Sequence, residues 1–212
     1  MLAGWFTRTA RRPLDLEGER VRLRPPRRGD WRAWSRLRGQ SRSFLEPWEP
    51  SWPEDALTRT AFRRRLRQTD FERDSGLGYS FLIFRREDQA LLGGITISNV
   101  RRGVAQSANL GYWIGQPYAR QGYMAEALSA VLDFAFAHLE LHRVEAACLP
   151  GNRASQGLLR KVGFSEEGYA RRYLRINGQW QDHVLFAILR EDPRGVAGAA
   201  APQRDPHLAR TG

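Results

Sequence analysis

Two short stretches carry the residue types from which a binding and transfer site can be built. The first is Arg120-Gln121-Gly122-Tyr123-Met124-Ala125, which follows the apolar run Tyr112-Trp113-Ile114 and opens a helical pattern. The first backbone N–H groups of a helix lack intrahelical partners and carry partial positive charge. Glycine at 122 clears the approach and Arg120 adds a full charge, so the turn suits a pyrophosphate. It is neither a Walker loop, which needs Gly-Lys-Ser/Thr, nor the three-glycine dinucleotide fingerprint. The second stretch is Asn152-Arg153-Ala154-Ser155, just after the run that ends at Leu149. Asn152 is a good N-cap, and Ser155 stands at the capping-box place. Where one strand parts from its neighbour, unpaired backbone groups are exposed. An arm carrying amides, such as pantetheine, could fill that gap like an extra strand.

Acid–base candidates surround these turns. Glu126 begins the helix, where dipole complementarity also accounts for an acid. Glu145 alternates with Val144 in a strand pattern and faces either the cleft or solvent. Tyr112 is either a polar group beside the reacting centre or a packing residue. Ser155 either steadies a leaving group or only caps its helix. His183 and Asp182 follow a hairpin turn and are either structural hydrogen-bonding residues or catalytic ones. Cys148, the single cysteine, reads as a buried structural thiol.

The elements that must position these residues follow from periodicity. Residues 19–24 alternate polar and apolar as a half-buried strand, ended by Pro25-Pro26. Asp30 is the expected cap of a helix through Trp31, Trp34 and Leu37. The connector from Phe44 to Pro53 holds two tryptophans; it is either packing or a lip over a substrate site. Glu54 to Arg73 reads as a helix. Tyr79–Phe84 and Leu91–Ile97 form a hairpin, and Ala108–Ile114 is a fourth strand, so a meander is the economical arrangement. Met124, Ala127, Leu128, Val131, Leu132, Ala135 and Leu139 make one helical stripe. His142–Leu149 is a fifth strand. A short helix from Asn152 to Val162 turns Leu158, Leu159 and Val162 inward and stops at Gly163. Tyr169–Ile176 and His183–Leu189 pair across Asn177-Gly178. The expected organisation is an N-terminal extension (1–17), one domain (18–191) and a disordered tail (192–212).

Composition narrows the classes. The net charge is +11, carried by 33 arginines and Lys161. Residues 1–75 hold 18 arginines against 11 acids, which suits an anionic partner such as a phosphorylated cofactor, RNA or a ribosomal surface. Arg63-Arg64-Arg65 is either a solvated face or a dock for such a surface. One cysteine precludes an internal disulfide, and no Cys/His spacing suggests zinc, so no metal is expected. No run of about eighteen apolar residues exists, so no membrane span is expected, and the cytoplasm is the expected location.

Tyr112-Trp113-Ile114, Arg120 to Ala127, Asn152-Arg153-Ala154-Ser155 and Lys161-Val162-Gly163-Phe164 together resemble the GCN5-related N-acetyltransferase (GNAT) superfamily over residues 18–191. Leu110 to Gln116, His142 to Ala146, Gly163 to Ala170 and Asn177 to His183 are similar to the RimJ-type ribosomal-protein-alanine N-acetyltransferases. The resemblance implies an α+β fold, a mixed, mainly antiparallel sheet flanked by helices. The sheet would splay between its fourth and fifth strands, with acetyl-CoA as co-substrate in the opening. Arg120, Gln121, Gly122, Tyr123, Met124 and Ala125 would hold the pyrophosphate. Trp113 and Ile114 would offer backbone to the pantetheine, and Asn152 would contact its arm.

The implied reaction is direct attack of a neutral amine on the thioester. An α-amine, with a pKa of about 8, demands less of a base than a lysine amine at about 10.4. A backbone N–H of the fourth strand would serve the developing oxyanion. Many members place a tyrosine seven residues after the asparagine as the acid; here Leu159 stands there. Ser155 resembles the serine of RimJ- and RimL-type enzymes and is assigned to the leaving group. Glu145 and Glu126 are the candidate bases, and Tyr112 is a further catalytic candidate. The expected acceptor is a protein N-terminus, a ribosomal one in particular. Two alternatives stay open: an aminoglycoside or polyamine acceptor, and a non-catalytic module that docks on ribosomal RNA through the basic N-terminal half. The chain would act as a monomer or homodimer.

Overall fold

The structure is a computed structural model that describes residues 14–195. In chain order its elements are β1 (Leu16–Glu17), β2 (Val21–Arg24), α1 (Trp31–Gln40), α2 (Arg42–Leu45), α3 (Arg59–Asp74), β3 (Tyr79–Arg85), β4 (Leu91–Arg101), β5 (Ser107–Ile114), α4 (Tyr123–Asp133), β6 (Arg143–Cys148), α5 (Arg153–Val162), β7 (Ser165–Ile176) and β8 (Gln179–Leu189). The strands form one sheet of order β1-β2-β3-β4-β5-β6-β8-β7. Every pairing is antiparallel except that of β5 with β6.

The apolar stripe of α4 builds the main core. Met124, Ala127, Leu128, Val131 and Leu132 are buried, and a π-helical turn, Phe134–His138, carries the stripe on to Ala135 and Leu139. With Leu159 and Val162 of α5 they cover the sheet face that presents Val21, Leu23, Ile83, Ile95 and Leu110. On the other face α1 and α3 lay Trp34, Leu37, Phe62 and Leu66 on Leu82, Phe84 and Leu91. Strand alternation sorts neighbours between the two cores: Tyr112 packs with the first, Trp113 with the second.

The feature that matters for function is where pairing stops. β5 and β6 run parallel through only three pairs, Ser107–Arg143, Ala108–Val144 and Asn109–Glu145. Beyond them β5 stays bonded to β4 up to Ile114, and β6 stays bonded to β8 up to Cys148. Each strand keeps its outer partner and loses its inner one, which is the splay the resemblance implies.

The final hairpin turns at Asn177 (φ 43°) and Gly178 (φ 80°). Left-handed backbone at both central positions matches the twist of the strands, the geometry for which Asn-Gly is suited. Asn177 N also donates to Glu49 O at 3.1 Å, tying the hairpin to the connector after α2.

Several boundaries differ from expectation. Leu16 and Glu17 pair with Leu23 and Arg22, so the sheet begins inside the expected extension. Residues 1–13 lie outside the described residues. So do 196–212, on which most of the expected disordered tail falls; Arg194 pairs with Asp133, and Gly195 N donates to Val162 O. Asp30 does not cap α1 with its side chain. Its carboxylate takes a forked pair from Arg24 (2.7 and 2.8 Å) and the N–H of Arg27, charged donors that outcompete a helix end. The helix expected from Glu54 starts at Arg59, because Thr58 accepts from Ala61 N at 3.1 Å and sets the first turn. Arg63, Arg64 and Arg65 are exposed on α3, with Arg64 paired to Asp55. Among the described residues no helix is long and apolar enough to cross a membrane.

Candidate active site

The splay opens a cavity of about 930 Å³ that threads the sheet from one face to the other. Its walls are the inner edges of β5 and β6, the starts of α4 and α5, the connector from Phe44 to Glu49, and the β7–β8 hairpin.

At one end lies the turn into α4. Gly122 is the N-cap with φ 85°, a left-handed conformation that favours glycine. A Cβ there would come within 3.1 Å of Arg20 Nη2. Arg20 was not a candidate on sequence grounds, yet its guanidinium lies 4.8 Å over the Tyr123 ring and donates to Gln121 O at 3.3 Å. Glu126 explains that placement. Its carboxylate accepts from Arg20 Nε (3.0 Å) and Val21 N (3.1 Å), which anchors the start of α4 to β2. Glu126 is thus a structural tie and does not line the cavity. Among the expected cofactor contacts, Trp113, Ile114, Arg120, Gly122, Met124, Ala125 and Asn152 line the cavity. Gln121 and Tyr123 do not: the Gln121 amide donates to Pro117 O at 2.8 Å, and Tyr123 lies beneath Arg20.

In the middle of the cavity two hydroxyls meet. Asn152 Oδ1 accepts from Ser155 N at 3.0 Å and so caps α5. Capping falls to Asn152, and the Ser155 hydroxyl instead pairs with the Tyr112 hydroxyl at 2.7 Å. Leu159, one turn further along the same face of α5, is fully buried and has no proton to give. Tyr112 reaches across from β5 and brings a phenol to the start of α5, where the Ser155 hydroxyl meets it. Burial raises the Tyr112 pKa above the ordinary tyrosine value, against a smaller opposing effect of the Ser155 hydrogen bond. Burial likewise pushes the Cys148 thiol up, and Cys148 also lines the cavity. Both hold their protons at neutral pH.

Glu145 is elsewhere. Its carboxylate is held by Arg101 Nη2 and Arg143 Nε, each at 2.8 Å, and it does not line the cavity. The expectation that it serves as base meets a physical obstacle: its two oxygens are taken by guanidinium partners away from the cavity.

The far end is apolar. Phe44, Leu45 and Trp48 of the connector face Leu174 and Ile176 of β7. The connector, whose role the sequence left open, therefore forms a cavity wall. Its carboxylate, Glu49, is already engaged: Arg38 forks onto both oxygens and Trp52 Nε1 donates at 2.8 Å. Arg38 is itself buried, stacked between Trp52 (4.4 Å) and Trp113 (4.9 Å). His183 completes this end. It is 2 % exposed, and it lines the cavity. Asp182 turns away and accepts from Tyr169 Oη and Arg172 N, both at 2.7 Å.

Comparison with known proteins agrees with this arrangement. The acetyltransferase (GNAT) domain family matches residues 20–165. The [ribosomal protein uS5]-alanine N-acetyltransferase of Escherichia coli is 37% identical over 153 residues, covering 72% of this chain and 79% of that protein. Mycobacterium smegmatis RimJ, solved in complex with CoA-disulfide, superposes with a TM-score of 0.79 at 37% identity, covering 84% of this chain and 88% of that one. A ribosomal-protein-S5-alanine acetyltransferase from Vibrio fischeri superposes with a TM-score of 0.78 at 29% identity, over 84% of this chain and 97% of the other. The splayed sheet, the glycine turn into α4 and the extent of these matches place the chain in the GNAT acetyltransferase family, among relatives that are ribosomal-protein N-acetyltransferases.

Proposed function

We propose that this protein transfers the acetyl group of acetyl-CoA to the N-terminal α-amine of a protein, with a ribosomal protein as the foremost acceptor. The observation that carries the acceptor class is the apolar end of the cavity, whose carboxylate, Glu49, is bound by Arg38 and Trp52. A polyamine or an aminoglycoside is a polycation and needs free acids around it. A peptide N-terminus brings one amine and a small side chain, which Phe44, Leu45, Trp48, Leu174 and Ile176 suit. At a pH of about 7.5 an α-amine is about a quarter neutral, whereas a lysine amine is neutral about once in a thousand.

The donor fits the other end. Arg120 and the backbone N–H groups at the start of α4 suit the pyrophosphate. The inner edges of β5 and β6 suit the amides of the pantetheine, beside Trp113, Ile114 and Asn152. When bound, acetyl-CoA supplies an activated acyl group with a thiol leaving group. The Tyr112 and Ser155 hydroxyls, joined at 2.7 Å and protonated, are the cavity's proton source for that thiol. In RimJ of M. smegmatis the bound molecule is CoA-disulfide, in keeping with the same donor.

Calorimetry with acetyl-CoA and CoA tests the donor, and saturating ligand is expected to raise the unfolding temperature. An acceptor panel tests the rest. Turnover of ribosomal N-terminal peptides, with none for spermidine or an aminoglycoside, is expected. The reverse pattern would refute the acceptor assignment.

A further inference from the structure

The hydroxyl pair accounts for the proton that the leaving thiol needs. The attacking amine must also lose a proton, and neither Glu126 nor Glu145 lines the cavity. The titratable groups that do can be taken in turn. Arg120, Arg153 and Lys161 are cations and have no lone pair to offer. Tyr112 and Cys148 keep their protons because burial raises their pKa values. Tyr118 is a phenol faced by the Arg85 guanidinium at 5.7 Å. Glu49 is held by Arg38 and Trp52. His183 is left.

The geometry of His183 is specific. Its Nδ1 lies 3.0 Å from Gln181 O, and a carbonyl oxygen only accepts. In the neutral ring the hydrogen therefore sits on Nδ1, and Nε2 carries a lone pair. The ring is held edge-to-face against Tyr173, with centroids 5.8 Å apart. Among the described residues Nε2 has no hydrogen-bond partner, nor is it among the fully buried polar atoms that lack one. It keeps access to the cavity that His183 lines. Strand register fixes the side it faces. Val184 pairs with Cys148, so Val184 lies on the Cys148 face and His183 on the other. Trp113 and the α1–α3 core lie on that other face, opposite the Tyr112–Ser155 pair. Proton donor and proton acceptor thus stand on opposite sides of the gap. The acid next in sequence, Asp182, is committed to Tyr169 and Arg172.

We propose that His183 is the catalytic base, its Nε2 removing the proton from the attacking amine. The inference rests on the α-amine reading above. The amine nitrogen bonds to the thioester carbonyl carbon and the carbon–sulfur bond breaks. The amine proton passes to Nε2, and the thiol receives one from the Tyr112–Ser155 hydroxyls. Solvent then restores both groups, so the products are the amide and CoA.

The test is His183→Asn, whose side-chain amide still donates to Gln181 O. Acetyl-CoA affinity and unfolding temperature are expected to stay near the native values. With an α-amine peptide, kcat/KM at neutral pH is expected to fall about 10²-fold or more. The loss should shrink with rising pH, because the variant must wait for the amine to ionise by itself. A variant within about threefold of the native enzyme and with the same pH profile would overturn the proposal. Loss of acetyl-CoA binding in the unaltered protein would instead sink the donor assignment. Failure of all α-amine peptides, with binding intact, would sink the acceptor assignment. In those cases, or if the variant does not fold, nitrogen NMR of the native protein with CoA decides. An Nδ1–H ring with a bare Nε2 supports the base, and an Nε2–H ring refutes it.

Discussion

Replacing Tyr112 by phenylalanine removes one oxygen and separates catalysis from stability. The lost contact is a neutral hydroxyl–hydroxyl bond of 2.7 Å to Ser155, in a partly buried place. Such a bond contributes about 0.5–1.5 kcal/mol net, and the ring keeps its place in the core. For a chain of this size that is a fall in unfolding temperature of about 1–6 °C. The catalytic effect should be much larger. If the phenol delivers the proton to the departing thiol, its loss removes an interaction made in the transition state, and kcat and kcat/KM fall together by about 10²-fold or more. Acetyl-CoA affinity should hold, because the cofactor turn and the strand edges are untouched. The assay is steady-state acetylation of an α-amine peptide, run beside calorimetry and thermal melts. Ser155→Ala should cost a similar factor, and the double variant little more than the worse single one, since the hydroxyls act as a unit. Full activity of Tyr112→Phe with intact binding would refute the assignment of the proton source.

The same residue carries a pH signature. Its folded-state pKa is raised above the ordinary 10.0, so the native state holds a proton that the unfolded chain gives up. That contribution is present below pH 10 and is lost as pH climbs through the raised value. Melts at about pH 9 and about pH 11 should therefore show the native protein losing stability relative to Tyr112→Phe. Gly122→Ala forces a side chain into left-handed backbone and against Arg20, costing about 1–2 kcal/mol in a denaturant titration and weakening acetyl-CoA binding by calorimetry. Glu145→Gln should leave turnover near the native value, because that carboxylate serves Arg101 and Arg143 outside the cavity; a large fall in kcat would return it to the chemistry. Leu128→Ala in the middle of the α4 core should cost about 2–5 kcal/mol by chemical denaturation without changing the cofactor turn.

What could be read in the residues was local. The α4 stripe, the Asn177-Gly178 hairpin and the Asn152 cap each depend on neighbours within a few positions, and each appears as expected. The glycine turn into α4 was legible for the same reason. Four features were not. Arg20 reaches the turn through Glu126, a partner 106 residues away. Arg38 neutralises Glu49 only because α1 and the connector fold together around Trp52 and Trp113. Glu145 looked available because alternation tells that a strand has two faces, not which one a distant Arg101 will occupy. His183 read as either structural or catalytic, and it does bond its own strand through Nδ1; only the packing of the hairpin against the connector shows that it lines the cavity. Asp30 failed as a cap for a comparable reason, since charged Arg24 offered it a stronger partner.

The three-pair junction between β5 and β6 has a mechanical side. It is a seam joining two half-sheets, β1 to β5 and β6 to β8, by a parallel ladder of three pairs, the one parallel ladder among the described residues. A ligand whose amides bond both edges acts as mortar in that seam, and the free energy of its binding is added to the resistance of the joint. Opening along the seam should be the lowest-energy route to local unfolding, and it should close as ligand concentration rises. The sturdiness of the protein then reports the supply of its own substrate: a starved chain is a jointed one, and a fed chain is a single slab.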